Sequence, residues 1–316
     1  MHVFWNKVNL TVKTMKAVLL HGYGSVDQLV YEEVPIPVAD TGEVLVKLIA
    51  TSVNPIDYKV RRGDMKSVMP LQLPAILGRD LAGQVVAVGK GVTTVKVDAL
   101  VLALANRTYA EYVTCKAETL ALIPDGLNPV EAGALPLVLT TGTQLIEKGI
   151  NPRSGQRLLI TGALGSVGRT AVHVAKKHGA HVIAAVRANQ RSEAEKLEAD
   201  EILALDDQKE LDSLKELDAV ADTIGHDVID RLLPHIKKSG ILATVVGKPE
   251  SAKARRDLEV NEVYSQPDGK RLEQLAREIA QGAFTIPIAR TLKLADIREA
   301  HELAEKGVNG KVLLTP

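Results

Sequence analysis

The sequence predicts an α/β protein in two parts, a compact barrel-like β region followed by a doubly wound parallel sheet with helices. Three observations favour this fold class. Short β-favouring runs, separated by turn residues, fill the stretch from Met15 to about Leu122. Strand and helix patterns alternate from 157 to about 247, which is typical of a parallel sheet. A glycine-punctuated turn joins the first strand of that second part to its first helix.

Length and composition limit the possible functions. The chain has 316 residues, enough for two domains and a sizeable core. Lys plus Arg and Asp plus Glu both number 39, so no net charge favours nucleic acid or an anionic membrane as a partner. Cys115 is the only cysteine, which excludes an intramolecular disulfide bond and a cysteine-rich zinc site. No apolar run reaches transmembrane length, and we expect a cytoplasmic protein.

The first residues differ in character from the rest of the chain. Met1 to Thr14 precede a second methionine, Met15, are mildly amphipathic and lack the apolar segment of a secretory signal. We interpret residues 1–14 as a leader, either non-native or the result of a misassigned start, that need not be ordered.

The remaining elements suggest where the two domains meet. Strand candidates in the β region are Met15–Leu20, Glu43–Val53, Gln84–Gly89, Val95–Leu104 and Tyr109–Cys115. A helical pattern covers Pro129 to Lys148; later come strands at Asp218–Thr223 and Gly240–Val246, amphipathic helices at Asp268–Gln281 and Ala295–Lys306, and a last strand at Lys311–Leu314. We expect the C-terminal stretch to return to the β domain, which would then comprise 15–127 and 267–316, with the parallel-sheet domain at 128–266.

The glycine turn predicts a dinucleotide site. The apolar strand 157–161 leads into Gly162–Gly168, then a helix to His178 and a second strand, His181–Val186. Missing Cβ atoms let the backbone approach a pyrophosphate, and N–H groups at the helix start point at its charge. The pattern reads A-x-G-x-x-G, and its candidate cofactor contacts are Ala163, Gly165, Ser166, Val167 and Gly168.

The end of the second strand indicates which dinucleotide is bound. A carboxylate there would bind the ribose 2′-hydroxyl of NAD, whereas arginine accommodates the 2′-phosphate of NADP. The sequence has Arg187 at that position and Arg191 one helical turn later, with no acid before Glu193. A guanidinium binds phosphate oxygens well. These residues predict NADPH.

The order of these segments resembles the medium-chain dehydrogenase/reductase superfamily from Met15 to Pro316. The matching stretches are Asn54–Lys59, Leu77–Gly83, Ala110–Tyr112, Ala134–Pro136, Thr140–Gly142, the Gly162–Gly168 turn and Gln266–Gly269. The resemblance implies a GroES-like β-barrel domain plus a Rossmann doubly wound domain. Further candidate cofactor contacts are Thr141, Ile224, Gly225, Val246 and Gly247.

The residues at the family's zinc positions oppose a metal. Asn54 stands near the expected first cysteine, Arg79-Asp80 replaces the usual His-Glu, and the cysteine lobe is absent. A metal needs converging deprotonated or neutral donors, which an arginine does not supply. We therefore expect no zinc.

The zinc-free branch resembles quinone oxidoreductases and enone, or 2-alkenal, reductases. In the enone-reductase form a lysine lies near the nicotinamide and the substrate carbonyl, and the resemblance places Lys59 there. Tyr58 lies beside it, and the sequence leaves open which side chain points into the cleft. Candidate donors to the developing oxyanion are Lys59, with Tyr58 or Asn54 as alternatives. The loop before Ala110 is shorter than in the family, so substrate specificity does not transfer.

These observations predict an NADPH-dependent reductase of quinones or enones. The alternatives are an NADPH-binding regulatory or crystallin-like protein without turnover, and an acyl-chain enoyl reductase, which the absence of carrier domains disfavours. The resemblance also implies a homodimer joined through edge strands of the parallel sheets. We expect the apolar run Gly240–Val246 to lie near that edge, and an exposed apolar edge strand needs a partner or a cover.

Overall fold

The computed structural model describes residues 13–316, and the interpretation of the first 14 residues as a leader lies almost entirely outside them. The described residues form three sheets of three, six and seven strands. The two antiparallel-rich sheets belong mainly to the N-terminal part, and the six-stranded sheet is parallel. The predicted α/β fold class is confirmed.

The N-terminal part is organised around one long strand. Its elements are β1 (Thr14–Leu20), β2 (Leu29–Pro35), β3 (Glu43–Val53), α1 (Pro55–Arg62), β4 (Ala75–Ile76), β5 (Asp80–Val88), β6 (Leu100–Leu104), β7 (Tyr112–Lys116) and β8 (Ala121–Leu122). Strand β3 pairs with β5 on one side and with β7 on the other. The predicted strand Val95–Leu104 begins later, because Asp98 adopts a left-handed φ of 71° that interrupts extended backbone.

The predicted helix Pro129–Lys148 is two helices, α2 (Pro129–Ala132) and α3 (Pro136–Glu147). Pro136 has no backbone N–H and its ring disfavours continuation of a preceding helix, so it starts a new one at its first turn. Almost every residue of α3 is buried, so this helix lies inside the molecule.

The parallel sheet follows the doubly wound pattern. Its elements are β9 (Arg157–Thr161), α4 (Ser166–Lys177), β10 (His181–Val186), α5 (Arg191–Ala194), β11 (Glu201–Ala204), α6 (Gln208–Asp212), β12 (Leu217–Asp222), α7 (Asp227–Leu232), β13 (Ile236–Thr244) and β14 (Glu259–Glu262). The strand order is β11-β10-β9-β12-β13-β14. The order reverses between β9 and β12, and ligands of such sheets bind outside the carboxyl ends of the strands at that point.

The predicted run Gly240–Val246 lies near the sheet edge but does not form it. This run falls within and just after β13, which has β12 on one side and β14 on the other. The edge strand β14 is short and carries a glutamate at each end, a common way to discourage edge-to-edge pairing. Hydrophobicity shows that a strand is buried but not where it stands in the sheet.

The last strand of the C-terminal stretch pairs with the N-terminal part. This stretch contains α8 (Gly269–Ala280), β15 (Ile288–Lys293), α9 (Ile297–Lys306) and β16 (Lys311–Thr315). Strand β16 pairs antiparallel with β3, so that Val312 lies opposite Val53. Within residues 13–316, no helix combines the length and the apolar character that crossing a membrane would require.

Candidate active site

The glycine turn lies at the carboxyl end of β9 and opens α4. Gly162 has a φ of 60°, and the Gly165 N–H donates to its carbonyl at 2.9 Å. A Cβ on Gly168 would come within 2.1 Å of that same carbonyl, so only glycine lets the helix approach the strand this closely. The Ala163 methyl is buried in the core, which explains how an alanine fits the first position of the pattern. Gly165 itself is exposed at the helix start.

A buried carboxylate shapes the neighbouring loops. Asp222, the last residue of β12, is 0% exposed. It accepts hydrogen bonds from the hydroxyls of Thr161 and Thr244, each at 2.9 Å, and from the backbone N–H groups of Ile224 and Gly225 at 3.0 and 2.9 Å. Asp222 therefore ties together the carboxyl ends of β9, β12 and β13, the three strands around the switch point.

The loops that Asp222 holds contain the second set of predicted cofactor contacts. Gly225 and Gly247 have φ of 76° and 106°, a region that favours glycine. A Cβ on Gly225 would lie 2.9 Å from the side chain of Val246. Ile224 is exposed. Together with the glycine turn, these residues form a cradle of glycine-rich backbone at the carboxyl ends of the parallel strands, which we call the cofactor cradle.

The two predicted 2′-phosphate arginines differ in their surroundings. Arg187 is exposed, and its guanidinium has no ion pair with any of the residues that the structure describes. The Arg191 guanidinium pairs closely with Glu210 and also donates to the carbonyl of Ile202 at 3.3 Å. Arg187 is thus available for a ligand, whereas Arg191 is engaged within the protein.

Helix α3 connects this cradle to the N-terminal part. The hydroxyls of Thr141 and Ser265 are hydrogen-bonded at 2.5 Å. A Cβ on the next residue, Gly142, would lie 2.7 Å from the carbonyl of Val167, so α3 presses directly on the first turn of α4. The first turn of α3 faces the other way, because the N–H of Leu137 donates to Asp80 at 2.7 Å.

Asp80, the first residue of β5, is the centre of a buried polar network that the sequence did not predict. Its carboxylate is 0% exposed and accepts from Ser52, from the Asn54 amide at 2.7 Å and from the Lys311 ammonium at 3.5 Å, in addition to the Leu137 N–H. Lys311 is 6% exposed and also donates to the Asn54 side-chain oxygen and to the carbonyl of Val53.

This network leaves Asn54 and Lys311 no donors to spare. The two N–H groups of the Asn54 amide go to Asp80 and, at 3.4 Å, to the carbonyl of Ser52. An ammonium has three donors, and those of Lys311 meet three acceptors. Neither side chain presents a hydrogen-bond donor to a substrate without breaking an internal bond.

Helix α1 carries the two other predicted donors. Its start is fixed by Asp57, whose buried carboxylate accepts from the Asn54 N–H at 2.8 Å and from the Tyr109 hydroxyl at 2.9 Å. Burial raises the pKa of Asp57 from 3.8 to about 6, although both hydrogen bonds act in the opposite direction. Gly63, with a φ of 93°, ends the helix.

Tyr58 and Lys59 are both half-buried but differ in their contacts. The Tyr58 ring packs against the core of the N-terminal part, and the guanidinium carbon of Arg62 lies 5.4 Å from its centroid. Burial raises the pKa of Tyr58, so its hydroxyl stays protonated. The Lys59 ammonium has no hydrogen bond or ion pair with any residue in the range 13–316. Lys59 is therefore the cation of α1 that has no hydrogen-bond or ion-pair partner among these residues.

The residues at the family's zinc positions do not fit a metal. The Asp80 carboxylate is already occupied by the Lys311 ammonium and by neutral donors, and Arg79 precedes it. No group of three or more His, Cys, Asp or Glu side chains that could hold a metal occurs among the described residues.

Comparison with known proteins gives the same two parts. Residues 40–125 match the alcohol dehydrogenase GroES-like domain, and residues 197–314 match the zinc-binding dehydrogenase family. The quinone oxidoreductase from Coxiella burnetii superposes with a TM-score of 0.86 and 27% identity, over 96% of this chain and 100% of that one. The chain belongs to the medium-chain dehydrogenase/reductase superfamily.

Two curated members of the superfamily illustrate the similarity. The chain is 35% identical over 204 residues to a chloroplastic quinone-oxidoreductase homolog of Spinacia oleracea, covering 61% of this chain and 62% of that protein. It is 32% identical over 249 residues to an NADPH-dependent alkenal/one oxidoreductase of Arabidopsis thaliana, covering 74% and 63%. The chain thus spans a little over three-fifths of the length of each of these two proteins.

The sequence did not predict which buried residues hold the candidate site together. Asp80, Lys311, Asp222 and Tyr109 are buried polar residues within or beside apolar strands. The available signal was their burial context, since an isolated charge in an apolar strand must find a partner. That signal marks each residue but does not name the partner.

Proposed function

We propose that this chain is an NADPH-dependent reductase of quinones or α,β-unsaturated carbonyls that transfers hydride without zinc. The observation that carries the proposal is the position of α3. Its first turn is bonded to Asp80 beside the start of α1, and its middle presses on the glycine turn. One helix therefore joins the segment with Lys59 to the cofactor cradle.

The cradle fits a nicotinamide dinucleotide. The backbone of Gly165 to Gly168, with that of Gly225 and Gly247, would hold the cofactor, because side chains at these glycines would fill the approach. The exposed Arg187 would bind the 2′-phosphate of NADPH, with Thr141 and Ile224 among the residues lining the site. When bound, the cofactor supplies the hydride.

On the substrate side, Lys59 supplies the positive charge. Reduction of an enone or quinone places negative charge on the carbonyl oxygen, and a nearby ammonium stabilises this charge mainly in the transition state. The Tyr58 hydroxyl is the second donor. We assign Asn54 to positioning rather than to substrate contact, since its amide is committed to Asp80 and Lys311. No metal is needed, because an enolate or hydroquinone oxyanion is less basic than an alkoxide.

The assembly and setting are part of the same proposal. We place the catalytic domain at 15–127 and 267–316 and the cofactor domain at 128–266, and we propose a cytoplasmic homodimer. The support for the homodimer is resemblance alone, since β13 is not an edge strand. Light scattering measures the mass in solution directly.

The experiment that tests this function is NADPH consumption against a panel of quinones, enones and simple aldehydes. We expect turnover with quinones or enones and little with aldehydes. Tight NADPH binding without turnover of any substrate would instead favour a regulatory or crystallin-like protein. Comparable activity with simple aldehydes would contradict the proposed substrate class.

A further inference from the structure

The Asp80 carboxylate joins its own strand to four other parts of the fold. It belongs to β5 and accepts from Ser52 on β3, from Asn54 before α1, from Leu137 on α3 and from Lys311 on β16. The Asp80 side chain that accepts these hydrogen bonds is 0% exposed. A carboxylate with this many donors in a low-dielectric interior holds its partners in one arrangement.

Two of these partners lead to opposite sides of the candidate active site. Asn54 starts the helix that carries Tyr58 and Lys59. Leu137 lies one turn before Thr141 and Gly142, which contact Ser265 and the first turn of α4. The distance between α1 and the cofactor cradle is therefore set through the two oxygens of the Asp80 carboxylate.

Lys311 makes this arrangement possible. A buried carboxylate is costly without a positive partner, and the Lys311 ammonium is the cation that contacts it. The same ammonium binds the carbonyl of Val53 and the side-chain oxygen of Asn54, so it also fixes the residues directly before α1. With all three donors used, it stabilises the site from behind rather than contacting substrate.

We infer that Asp80 and Lys311 are a pair of positioning residues that hold the Lys59 helix at its working distance from the cofactor cradle. The inference rests on the proposed reductase function. It adds to that function two residues that do not touch substrate or cofactor but determine how well hydride transfer proceeds. Small displacements of reacting groups are costly, so the effect should appear in kcat rather than in cofactor binding.

The test compares Lys311→Met with the neutral double variant Asp80→Asn/Lys311→Met. The exposed Lys47 of β3 provides the control Lys47→Met. We expect Lys311→Met to lower kcat on the best enone or quinone about 10- to 100-fold, with NADPH affinity nearly unchanged. It should also lower Tm and speed amide hydrogen exchange in peptides that contain Asn54 and Leu137. The control should match wild type in all four measurements.

The double variant separates positioning from simple stability. Removing both charges avoids an uncompensated buried carboxylate, so Tm should recover, and this variant decides the question even where the single variant does not fold. Because the link from Lys311 to Val53 and Asn54 is still absent, kcat should stay about tenfold low. Recovery of kcat together with Tm, or wild-type exchange at both peptides, would overturn the inference. A wild type that reduces no substrate of the panel would instead refute the proposed function, and the exchange measurement would still decide whether the pair holds the two helices.

Discussion

The two buried aspartates, Asp80 and Asp222, are equally enclosed but are stabilised in different ways. Asp80, on the substrate side, receives an ammonium as well as hydroxyl, amide and backbone donors. Among the described residues, Asp222, on the cofactor side, receives only hydroxyls and backbone N–H groups. Both carboxylates shape the backbone around a candidate ligand site, and of the two it is Asp80 that a buried cation from the described residues contacts.

This difference distinguishes buried charges, which hold the structure of the candidate site, from more exposed charges, which we propose contact a ligand. On the substrate side the buried Lys311 is saturated, and the half-buried Lys59 has no partner among residues 13–316. On the cofactor side, within the part of the chain that the structure describes, no buried cation contacts Asp222 and the exposed Arg187 has no ion pair. In each region a carboxylate fixes the backbone, and a separate cation nearer the surface is the one that we propose contacts the ligand.

The largest effect is expected at Asp222. Asp222→Ala leaves the hydroxyls of Thr161 and Thr244 and two backbone N–H groups without their acceptor. Each buried donor without a partner costs roughly 1–3 kcal/mol, so the free energy of unfolding should fall by about 4 kcal/mol or more. Urea unfolding measures this loss, with the exposed Asp125→Ala as control. A loss no larger than that of the control would show that the carboxylate does not organise the three strand ends.

Lys59 tests the chemistry of the substrate side separately from binding. Removing a donor aimed at a developing oxyanion typically lowers kcat by ~10²–10³, although solvent replaces part of this in an open cleft. We expect Lys59→Met to lower kcat and kcat/KM together and to leave NADPH affinity nearly unchanged. The exposed Lys66→Met is the matched control. A loss below about threefold would assign the role elsewhere, with Tyr58→Phe the next variant to test.

Asp57 provides a third buried carboxyl, with hydrogen-bond donors but no ion pair among the described residues. Its pKa is raised from 3.8 to about 6, so between these values the folded protein binds more protons than the unfolded chain. Its contribution to stability is therefore lost as pH rises from about 4 to about 6, by roughly 3 kcal/mol in total. Asp57→Asn should remove that dependence.

The measurement for Asp57 is urea unfolding of wild type and variant at several pH values across this range. The difference between the two proteins isolates Asp57 from the other titrating groups. A difference that stays constant with pH would contradict the expected charge penalty.

Arg187 sharpens the cofactor side of the comparison. Losing a charged hydrogen-bond partner costs roughly 1.5–3 kcal/mol, so Arg187→Ala should weaken NADPH binding about 10- to 150-fold and spare NADH. Arg191→Ala should have a smaller effect, because Glu210 already occupies that guanidinium. Binding constants from fluorescence titration decide this. Equal losses for both cofactors, or tighter binding of NADH by wild type, would contradict NADPH preference.

The smallest expected effect is that of a chelator. Because Asp80 is matched by Lys311 and Arg79 lies beside it, activity should be unchanged by metal removal. Elemental analysis should find no stoichiometric zinc. Zinc at one equivalent, with activity lost on chelation, would contradict the proposal that Lys311, rather than a metal ion, balances the charge of Asp80.

Local patterns account for what the sequence predicted well. The strand, glycine turn, helix and strand from 157 to 186 follow from residue spacing, and the structure has them as β9, α4 and β10. These features depend on neighbours a few residues apart.

The features that the sequence did not predict concern contacts between distant residues. The apolar run Gly240–Val246 predicts a strand near the sheet edge but not that β14 lies outside it, because strand order is a property of the whole sheet. The sequence predicts Asn54 as an alternative substrate donor but does not predict the bonds of its side chain to Asp80 and Lys311. Lys311 and Asp80 are 231 residues apart, and no spacing rule links them.

The return of β16 to β3 determines when the site can be assembled. Contacts between residues far apart in sequence form late, because the intervening chain must first be ordered. The Asp80 carboxylate, which holds the start of α1, stays without this cation until Lys311 arrives. A fragment that ends before Lys311 would contain the glycine turn, α1 and Lys59, and would still lack the charge that holds them together. Dissection of this protein into separately expressed halves should therefore yield a cofactor-binding half more readily than a working substrate half.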